Sequence, residues 1–340
     1  MAEGKPFSIK ICYTGCKFIK TAFPEKEKGE KIMPLRDPKE LYADALKNHY
    51  ALIACNVADM EMLQAVIGAA EAERSPAFVM VSMGARKYVK DFPKFIQAAK
   101  LYLEDSSAPL VLHHDHCQTV EDCNSAVDAG MQSVMFDGSH HDFETNIALT
   151  RQVADYAHTH GVIVEAELGS LPGFEDEVFA ENAVYTDPSK VCEFIERSGC
   201  DSLAIAVGTT HGGVKGDDYL PMDMERVKEI TRVVGDYPLV LHGGASLPPE
   251  LIAACNAEGG QVEYMRNCSE ASIAEASKYG VCKVNSDVDN FLCYTTAIRK
   301  FFRESPAVYD PRKYLTLARD AFQKEVQHKL RNVVNSAGRY

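Results

Sequence analysis

The chain has 340 residues, of which 46% are apolar and 25% are charged, a composition typical of a globular protein with a large core. Its formal net charge of −13 at pH 7 argues against nucleic acids and anionic membranes as partners, because like charges repel. No run approaches the roughly 18–20 apolar residues of a membrane span. The N-terminus lacks the apolar stretch of a signal peptide, and 11 scattered cysteines favour a reducing compartment. We therefore expect a cytoplasmic protein.

Short apolar runs recur along the chain, and each is followed by a stretch with helical periodicity. In chain order the runs cover residues 51–55, 77–81, 109–113, 133–136, 162–166, 202–207, 238–242 and 281–284. Continuous apolar runs, rather than alternating ones, are typical of parallel strands that are covered on both faces. Eight such strands alternating with helices predict an α/β protein with a single-domain (β/α)8 barrel, the TIM barrel. A doubly wound open sheet is the competing architecture, but no GxGxxG motif follows the first run.

The predicted barrel leaves three segments to be assigned. Residues 1–35 show no clear pattern and are interpreted as an N-terminal arm, which leaves 36–340 for the barrel domain. Residues 254–279 are interpreted as an insertion between the seventh and eighth strands. The tail after Pro311 predicts a long C-terminal helix, because apolar residues recur at roughly helical spacing. They are Tyr314, Leu317, Ala321, Val326 and Leu330.

Polar residues stand where the predicted strands end, and in this fold active sites lie at the C-terminal ends of the strands. They are Asn56, Ser82, the run His113–His116, Asp137, Glu165 with Glu167, His211, His242, and Asn285 with Asp287. A single His at such a position is more often a structural residue. Histidines after three separate strands, with carboxylates after others, predict a metal site. Three imidazoles with an open fourth position are typical of catalytic zinc, and a nitrogen-rich ligand set favours a late first-row ion over Mg²⁺.

The motifs around these residues resemble those of the class II fructose-1,6-bisphosphate and tagatose-bisphosphate aldolases. The similarity extends from about Pro34 to Gly338. It is carried by HHDH at 113–116, DGSH at 137–140, VEAELG at 164–169, GTTHG at 208–212, LHGG at 241–244 and KVNSD at 283–287. Any one of these motifs alone would be weak, but together they are specific.

The resemblance implies a zinc-dependent retro-aldol reaction of a ketose phosphate, which gives a dihydroxyacetone-phosphate-type product and an aldehyde, and the reverse condensation. It implies one catalytic zinc ion bound by His116, His211 and His242. Glu167 is similar to a residue that supports the ion or replaces a ligand when the ion moves. Asp137 is similar to a group that orients a ligand or binds a second divalent or monovalent cation.

The resemblance also implies the catalytic groups. Asp115 corresponds to the acid/base at the C4 hydroxyl of the substrate, and its place next to a zinc ligand suits that task. Glu175, in a Gly-rich loop, corresponds to the acid that handles the C3 proton. The implied substrate- and phosphate-binding residues are Asn56, Ser82, Gly212, Lys215, Gly243, Ser246, Asn285 and Asp287.

The chain departs from the family pattern at several positions. Ala245 replaces a usual Ser, with Ser246 one place later, and Val288 replaces a usual Thr or Ser. Phe291 stands where the family carries the Arg that binds the distal phosphate, and an aromatic ring cannot pair with a dianion. His114 stands where Leu is common and is expected to place an extra polar group near the metal.

Several interpretations of function follow. The substrate is either fructose 1,6-bisphosphate, bound by other residues, or a different ketose with one phosphate or none and a less charged distal end. A metal-dependent hydrolase is a second class, but it would leave Lys215 and Asn285 without a role. A non-catalytic phosphosugar-binding protein is a third, although binding alone does not require Asp115 and Glu175. Because the family is typically dimeric or tetrameric, the resemblance implies a homodimer or homotetramer.

Overall fold

The computed structural model describes residues 37–175, 178–180, 183–216 and 218–340, and of residues 174, 175 and 178–180 it describes the backbone alone. The predicted N-terminal arm at 1–35 lies outside these residues. Eight parallel strands form a closed barrel in the order β1-β8-β7-β6-β5-β4-β3-β2. The strands are β1 Leu52–Asn56, β2 Ala77–Val81, β3 Leu110–Cys117, β4 Ser133–Phe136, β5 Ile163–Leu168, β6 Ser202–Ile205, β7 Leu239–Leu241 and β8 Val281–Ser286. Each overlaps one predicted run, so the predicted single-domain (β/α)8 barrel is confirmed.

Helices surround the barrel and connect its strands. They are α1 Pro38–Asn48, α2 Met60–Glu73, α3 Met83–Tyr88, α4 Phe92–Asp105, α5 Val120–Ala129, α6 Phe143–Thr159, α7 Pro188–Ser198, α8 Met224–Val234, α9 Pro249–Ala257, α10 Glu270–Ala276, α11 Val288–Glu304 and α12 Pro311–Asn332. Most begin at an Asp, Ser or Thr whose side chain accepts a hydrogen bond from the first turn, as Asp59 does from Met62 N at 2.7 Å. No helix in the described ranges is long and apolar enough to cross a membrane.

In the described part of the chain, short strands outside the barrel form two pairs. Gly173–Glu175 and Val178–Ala180 form an antiparallel hairpin after β5, and Val214–Lys215 pairs with Met265–Arg266. The second pair joins the loop after β6 to the segment 254–279, which also contains the end of α9 and all of α10. Both pairs lie at the end of the barrel where the strands finish.

The core has an outer and an inner part. The outer part lies between the strands and the helices and contains most of the buried apolar side chains. In the inner part, Leu41 and Tyr42 of α1 pack against Leu52, Phe78 and Val111, which lie near the starts of their strands. Helix α1 therefore closes the N-terminal end of the barrel, and the C-terminal end remains for a site.

Helix α12 packs against α2 and α11 and fixes the end of β8. Its buried residues include Phe322 and Val326, whereas Leu317 is 46% exposed. Lys329 of α12 is also buried; its ammonium donates to Ser286 Oγ at 2.7 Å and forms an ion pair with Asp289. The hydrogen bond ties the C-terminal helix to the strand end that carries the NSD motif, and the ion pair ties it to the start of α11.

Candidate metal centre and active site

Four polar side chains from four parts of the chain converge at the C-terminal mouth of the barrel. The atoms of His116, Glu167, His211 and His242 that can bind a metal all lie within 4.8 Å of one another, and all four residues are buried. His116 lies near the end of β3, Glu167 lies in β5, and the other two follow β6 and β7. The three predicted imidazoles thus point to one place.

Asp115 and His116 are consecutive residues of β3, yet both face this place. Successive side chains of a strand normally point to opposite faces. Here the register between β3 and β4 shifts between His114 and Cys117, and His116 has a left-handed backbone with φ 49°. Such an irregularity adds one residue to one strand, so the next side chain points to the other face of the sheet. The left-handed backbone of a non-glycine residue costs on the order of 1–3 kcal/mol. His116 Nε2 lies 4.0 Å from Asp115 Oδ2 as a result.

Asp137 orients the imidazole of His116. The Nδ1 atom of His116 lies 2.9 Å from Asp137 Oδ2, while Ser139 donates to the other carboxylate oxygen from its backbone N and its hydroxyl. Burial opposes ionisation of Asp137, but the bonds from His116 and Ser139 outweigh it and hold the pKa of the carboxyl below its usual range. His116 therefore donates through Nδ1 and presents Nε2 to the cluster.

Glu165 orients the imidazole of His242 in the same way. The Nε2 atom of His242 lies 2.8 Å from Glu165 Oε1, and the ammonium of Lys283 lies 2.8 Å from the second oxygen of that carboxylate. Burial opposes ionisation of Glu165, but Lys283 and His242 outweigh it and lower its pKa to about 2. His242 thus presents Nδ1, the opposite ring nitrogen from the one that His116 presents.

The chemistry of these donors fits a cation. The Nδ1 atom of His242 and the Oε2 atom of Glu167 lie 3.3 Å apart. Both atoms are buried, and apart from each other neither has a hydrogen-bond partner among the described residues. Two ligands at about 2.0–2.1 Å from a tetrahedral zinc ion are themselves about 3.3–3.4 Å apart. The space enclosed at this point is about 10 Å³, which is the size of an ion or a water molecule rather than of a sugar.

Asp115 faces the same space and is held from two sides. It is 1% exposed and accepts from Asn285 Nδ2, which lies 3.2 and 3.3 Å from its two oxygens. His113 Nε2 lies 3.5 Å from Asp115 Oδ1. Burial would raise the pKa of Asp115, but the imidazoles of His116 and His113 and the ammonium of Lys283 outweigh it and hold the pKa well below its usual range. Asp115 is therefore an ionised carboxylate, fixed beside the cation site.

Lys283 is a part of the site that sequence reasoning did not assign. Its ammonium, fully buried inside the barrel, lies 2.8 Å from Glu165 Oε2 and 3.3 Å from His113 Nε2. His113, Asp115 and Glu165 could otherwise hold a second cation, but the ammonium of Lys283 already supplies a positive charge there. An isolated Lys in the apolar run VCKV was the available sign, and a buried Lys requires a charged partner.

Asn267 is a second residue that sequence reasoning missed. It is fully buried, and its amide donates to the carbonyl oxygens of Thr210 and Gly243 at 2.7 and 2.9 Å and accepts from Thr210 N at 3.1 Å. Thr210 and Gly243 each adjoin a histidine of the cluster. Asn267 thus ties together the loops that carry His211 and His242, and no pattern in the sequence indicated that link.

The residues expected to bind substrate divide into two groups. Asn56, Gly212, Gly243, Asn285 and Asp287 line the cavity around the cation site, together with Ala245. The backbone at Gly243 is left-handed, with φ 60°, and a Cβ there would overlap the carbonyl oxygen of Thr210. Close packing of this turn therefore requires glycine.

The second group lies away from that cavity. The side chain of Lys215 is 78% exposed and pairs with Glu263, with 2.8 Å between Nζ and Oε2. Ser246 is 1% exposed but does not belong to the lining, and Ser82 lines a neighbouring cavity. The backbone of Glu175 lies in the hairpin that begins at Gly173.

The position of His114 differs from the one expected from the sequence. The structure places it outside the barrel, where Nδ1 lies 2.7 Å from the carbonyl oxygen of Val81 and Nε2 lies 3.2 Å from Arg86. Its ring packs against Phe92, with 5.0 Å between the ring centroids. The expectation that His114 adds a polar group near the metal is therefore wrong, because ordinary strand alternation turns it to the helix side.

Comparison with known proteins agrees with this geometry. Residues 36–339 match the family model described as fructose-bisphosphate aldolase class-II. The fructose-bisphosphate aldolase of Treponema pallidum (strain Nichols) is 39% identical over 327 residues, covering 91% of this chain and 98% of the relative. That of Geobacillus stearothermophilus is 38% identical over 307 residues, covering 89% and 98%.

A solved structure is similar as well. The YdjI aldolase from Escherichia coli K12 aligns with a TM-score of 0.72 and 31% identity, covering 89% of this chain and 98% of that one. Fold, site and similarity together define an aldolase, which is a carbon–carbon lyase. The chain belongs to the class II fructose-bisphosphate aldolase family.

Proposed function

We propose that the protein cleaves a ketose 1-phosphate between C3 and C4, and catalyses the reverse condensation, with one zinc ion bound by His116, His211 and His242. The observation that carries this proposal is the convergence of three imidazoles from separate strands beside the ionised carboxylate of Asp115. Glu167 is proposed as a further ligand, because its Oε2 atom is buried and, apart from His242 Nδ1, has no hydrogen-bond partner among the described residues.

Two carboxyl groups of the chain carry out the proton transfers of the reaction. Asp115 accepts the proton of the C4 hydroxyl, C4 becomes the carbonyl carbon of the released aldehyde, and the electron pair of the C3–C4 bond remains on the ketone fragment. A bound zinc ion supplies Lewis-acid stabilisation of the negative charge that develops on that fragment. Glu175 then returns a proton to C3; the hairpin that carries it is bridged to His211 at Gly173, next to the cation site.

The 1-phosphate is proposed to bind at the loops after β6 and β7. The backbone at Gly212 and Gly243 is left-handed, with φ values of 67° and 60°, and such turns expose N–H groups that bind anions. Lys215 would have to leave its exposed ion pair with Glu263 to reach the phosphate. An exposed ion pair contributes only about 0–1 kcal/mol, so its loss is a small obstacle.

Zinc titration and product analysis with Asp115→Asn test the proposal. The metal-free protein should bind one zinc ion and then cleave a ketose 1-phosphate. The variant should retain the zinc but lose about 10²–10⁴-fold in kcat, because it lacks the group that accepts the proton. Asp155→Asn, which changes an exposed Asp of α6 (side chain 62% exposed), is the matched control. If the zinc-loaded protein cleaves none of the ketose phosphates, it is a binding protein or a hydrolase and the proposal fails.

Two further expectations concern the cellular location and the oligomeric state of the protein. We infer a cytoplasmic location, as expected from the sequence, and fractionation of cells that express the protein would test it. We also infer a homodimer or homotetramer, as in the family; light scattering on the purified protein would measure the molar mass.

A further inference from the structure

A second cavity adjoins the cation site and is large enough for part of a sugar. Its volume is about 390 Å³, against about 10 Å³ for the space around the cation site. Asn56 and Asp287 line both cavities, so the second continues the first. A ketose that reacts at the cation site can therefore extend its remaining carbons into this second cavity, which we call the distal pocket.

The lining of the distal pocket is mainly apolar. It includes Val57, Ala58, Ala85, Tyr88, Val288 and Phe291. Phe291 stands on α11, one turn after Asp287, and Tyr88 at the end of α3 is 70% exposed. Faces of aromatic rings and methyl groups of this kind pack well against C–H groups and poorly against ions.

The charges around the distal pocket oppose an anion. Among the described residues that line it, none is Lys or Arg, and the one with a carboxylate is Asp287. Arg86 follows Ala85 directly, but its guanidinium is directed away and donates to Ser125 Oγ at 2.8 Å and to Asp122 O at 3.2 Å. A phosphate dianion in this pocket would lose water without gaining a charged partner, which is costly.

The polar atoms at the junction of the two cavities also favour a hydroxyl group. The Oδ1 atom of Asn56 is buried and has no hydrogen-bond partner among the described residues. This oxygen can accept a hydrogen bond from a sugar hydroxyl, whereas a phosphate dianion has no hydrogen to donate and could bind only to the Nδ2 group of the same amide. Asn56 is thus placed to bind a hydroxyl group of the sugar between the reacting bond and the distal pocket.

Resting on the proposed function, we propose that the distal pocket binds the fragment released as the aldehyde, and that this fragment carries no phosphate. Phe291 is the residue that sets this specificity. The preferred substrate is a ketose 1-phosphate whose far end is a neutral, hydroxylated or apolar chain, and not a 1,6-bisphosphate.

Matched pairs of substrates test this specificity. Cleavage by the zinc-loaded enzyme should be measured on the 1-phosphate and on the 1,6-bisphosphate of fructose, tagatose, sorbose and psicose. We expect kcat/KM for the best 1-phosphate to exceed that for its bisphosphate by at least about tenfold, since the described lining of the pocket offers the added phosphate no positively charged partner. A bisphosphate with the highest kcat/KM would overturn the inference and leave the proposed function intact. Cleavage of no member of any pair would overturn both.

The variant Phe291→Arg gives a second measurement. It should raise kcat/KM for the bisphosphate at least about tenfold relative to the 1-phosphate, because the guanidinium pairs with the added phosphate. Phe302→Arg is the matched control: it makes the same change on the same helix, at a residue that is 40% exposed and outside the pocket. Equal effects of the two variants on the ratio, or no change with Phe291→Arg, would contradict the assigned role of Phe291.

Discussion

The backbone of Gly173 pairs with that of His211, and the carbonyl oxygen of His211 occupies the space into which a side chain at position 173 would project. Gly173 also has a left-handed backbone, with φ 111°. The hairpin after β5 therefore lies directly against one of the three histidines of the cluster, and this close approach requires glycine.

Substitution Gly173→Ala should weaken metal binding. The added methyl group must push the His211 backbone away, so we expect zinc affinity to fall about 10–100-fold, as for other changes that displace a ligand. Gly130→Ala is the control, because Gly130 has a similar φ of 100° but nothing within 4 Å of its Cβ position. Both variants should lose about 1 kcal/mol of unfolding free energy from backbone strain. Competition with a chromogenic chelator measures the affinity; an equal loss in both variants would contradict the expectation.

Substitution Asn267→Ala should affect both histidine loops together. It removes bonds to Thr210 and Gly243, so the loops lose their shared anchor; we expect about 1–3 kcal/mol lower unfolding free energy and about tenfold weaker zinc binding. The control is Asn256→Ala. Asn256 makes the same kind of paired bonds to the backbone of Val262, at 2.8 and 2.9 Å, but away from the site. Its loss should lower stability without changing zinc affinity, as measured by urea unfolding and metal titration.

Substitution Asp137→Asn should reduce zinc affinity about 10–100-fold, because the carboxylate that fixes the ring nitrogen of His116 loses its charge. The fold should remain, since an amide oxygen can still accept the bond from Nδ1. Asp155→Asn at the surface again serves as the control. Unchanged affinity in Asp137→Asn would mean that Asp137 does not tune the ligand.

Substitution Lys283→Met should destabilise the barrel strongly. It leaves the buried carboxylate of Glu165 without its ammonium partner, and breaking such a pair lowers the free energy of unfolding by about 3–5 kcal/mol. Lys278→Met is the control: its pair with Glu275 is as short, at 2.6 Å, but lies at the surface, where solvent screens the charges and we expect a much smaller loss of stability. Urea unfolding of the metal-free proteins measures both, and similar midpoints would contradict the prediction.

The fold was predictable from sequence because strands that are buried on both faces appear in the sequence as continuous apolar runs. All eight barrel strands overlap such runs. The polar residues after them marked the site equally well, since the topology of a closed parallel barrel brings every strand end to one rim. Histidines after β3, β6 and β7 could be grouped on that basis, whereas the choice of His116 within HHDH came from the resemblance to the aldolase family.

Other features of the site depend on geometry that no pattern encodes. Simple alternation from His113 would have turned His116 away from the mouth, and only the register shift in β3 brings it back. The partner of Lys283 lies 118 residues away in β5. The side chain of Asn267 binds backbone atoms of Thr210 and Gly243. Every residue type has these backbone atoms, so the sequence does not indicate which residues are the partners.

The irregularity in β3 has a consequence for how this enzyme can vary. Asp115, the proposed proton acceptor, and His116, a proposed metal ligand, are adjacent residues joined by one peptide unit. A shift of that segment moves both together and leaves their spacing unchanged. We expect new substrates to be accommodated instead at positions such as Phe291, which lines the distal pocket and not the cavity around the cation site.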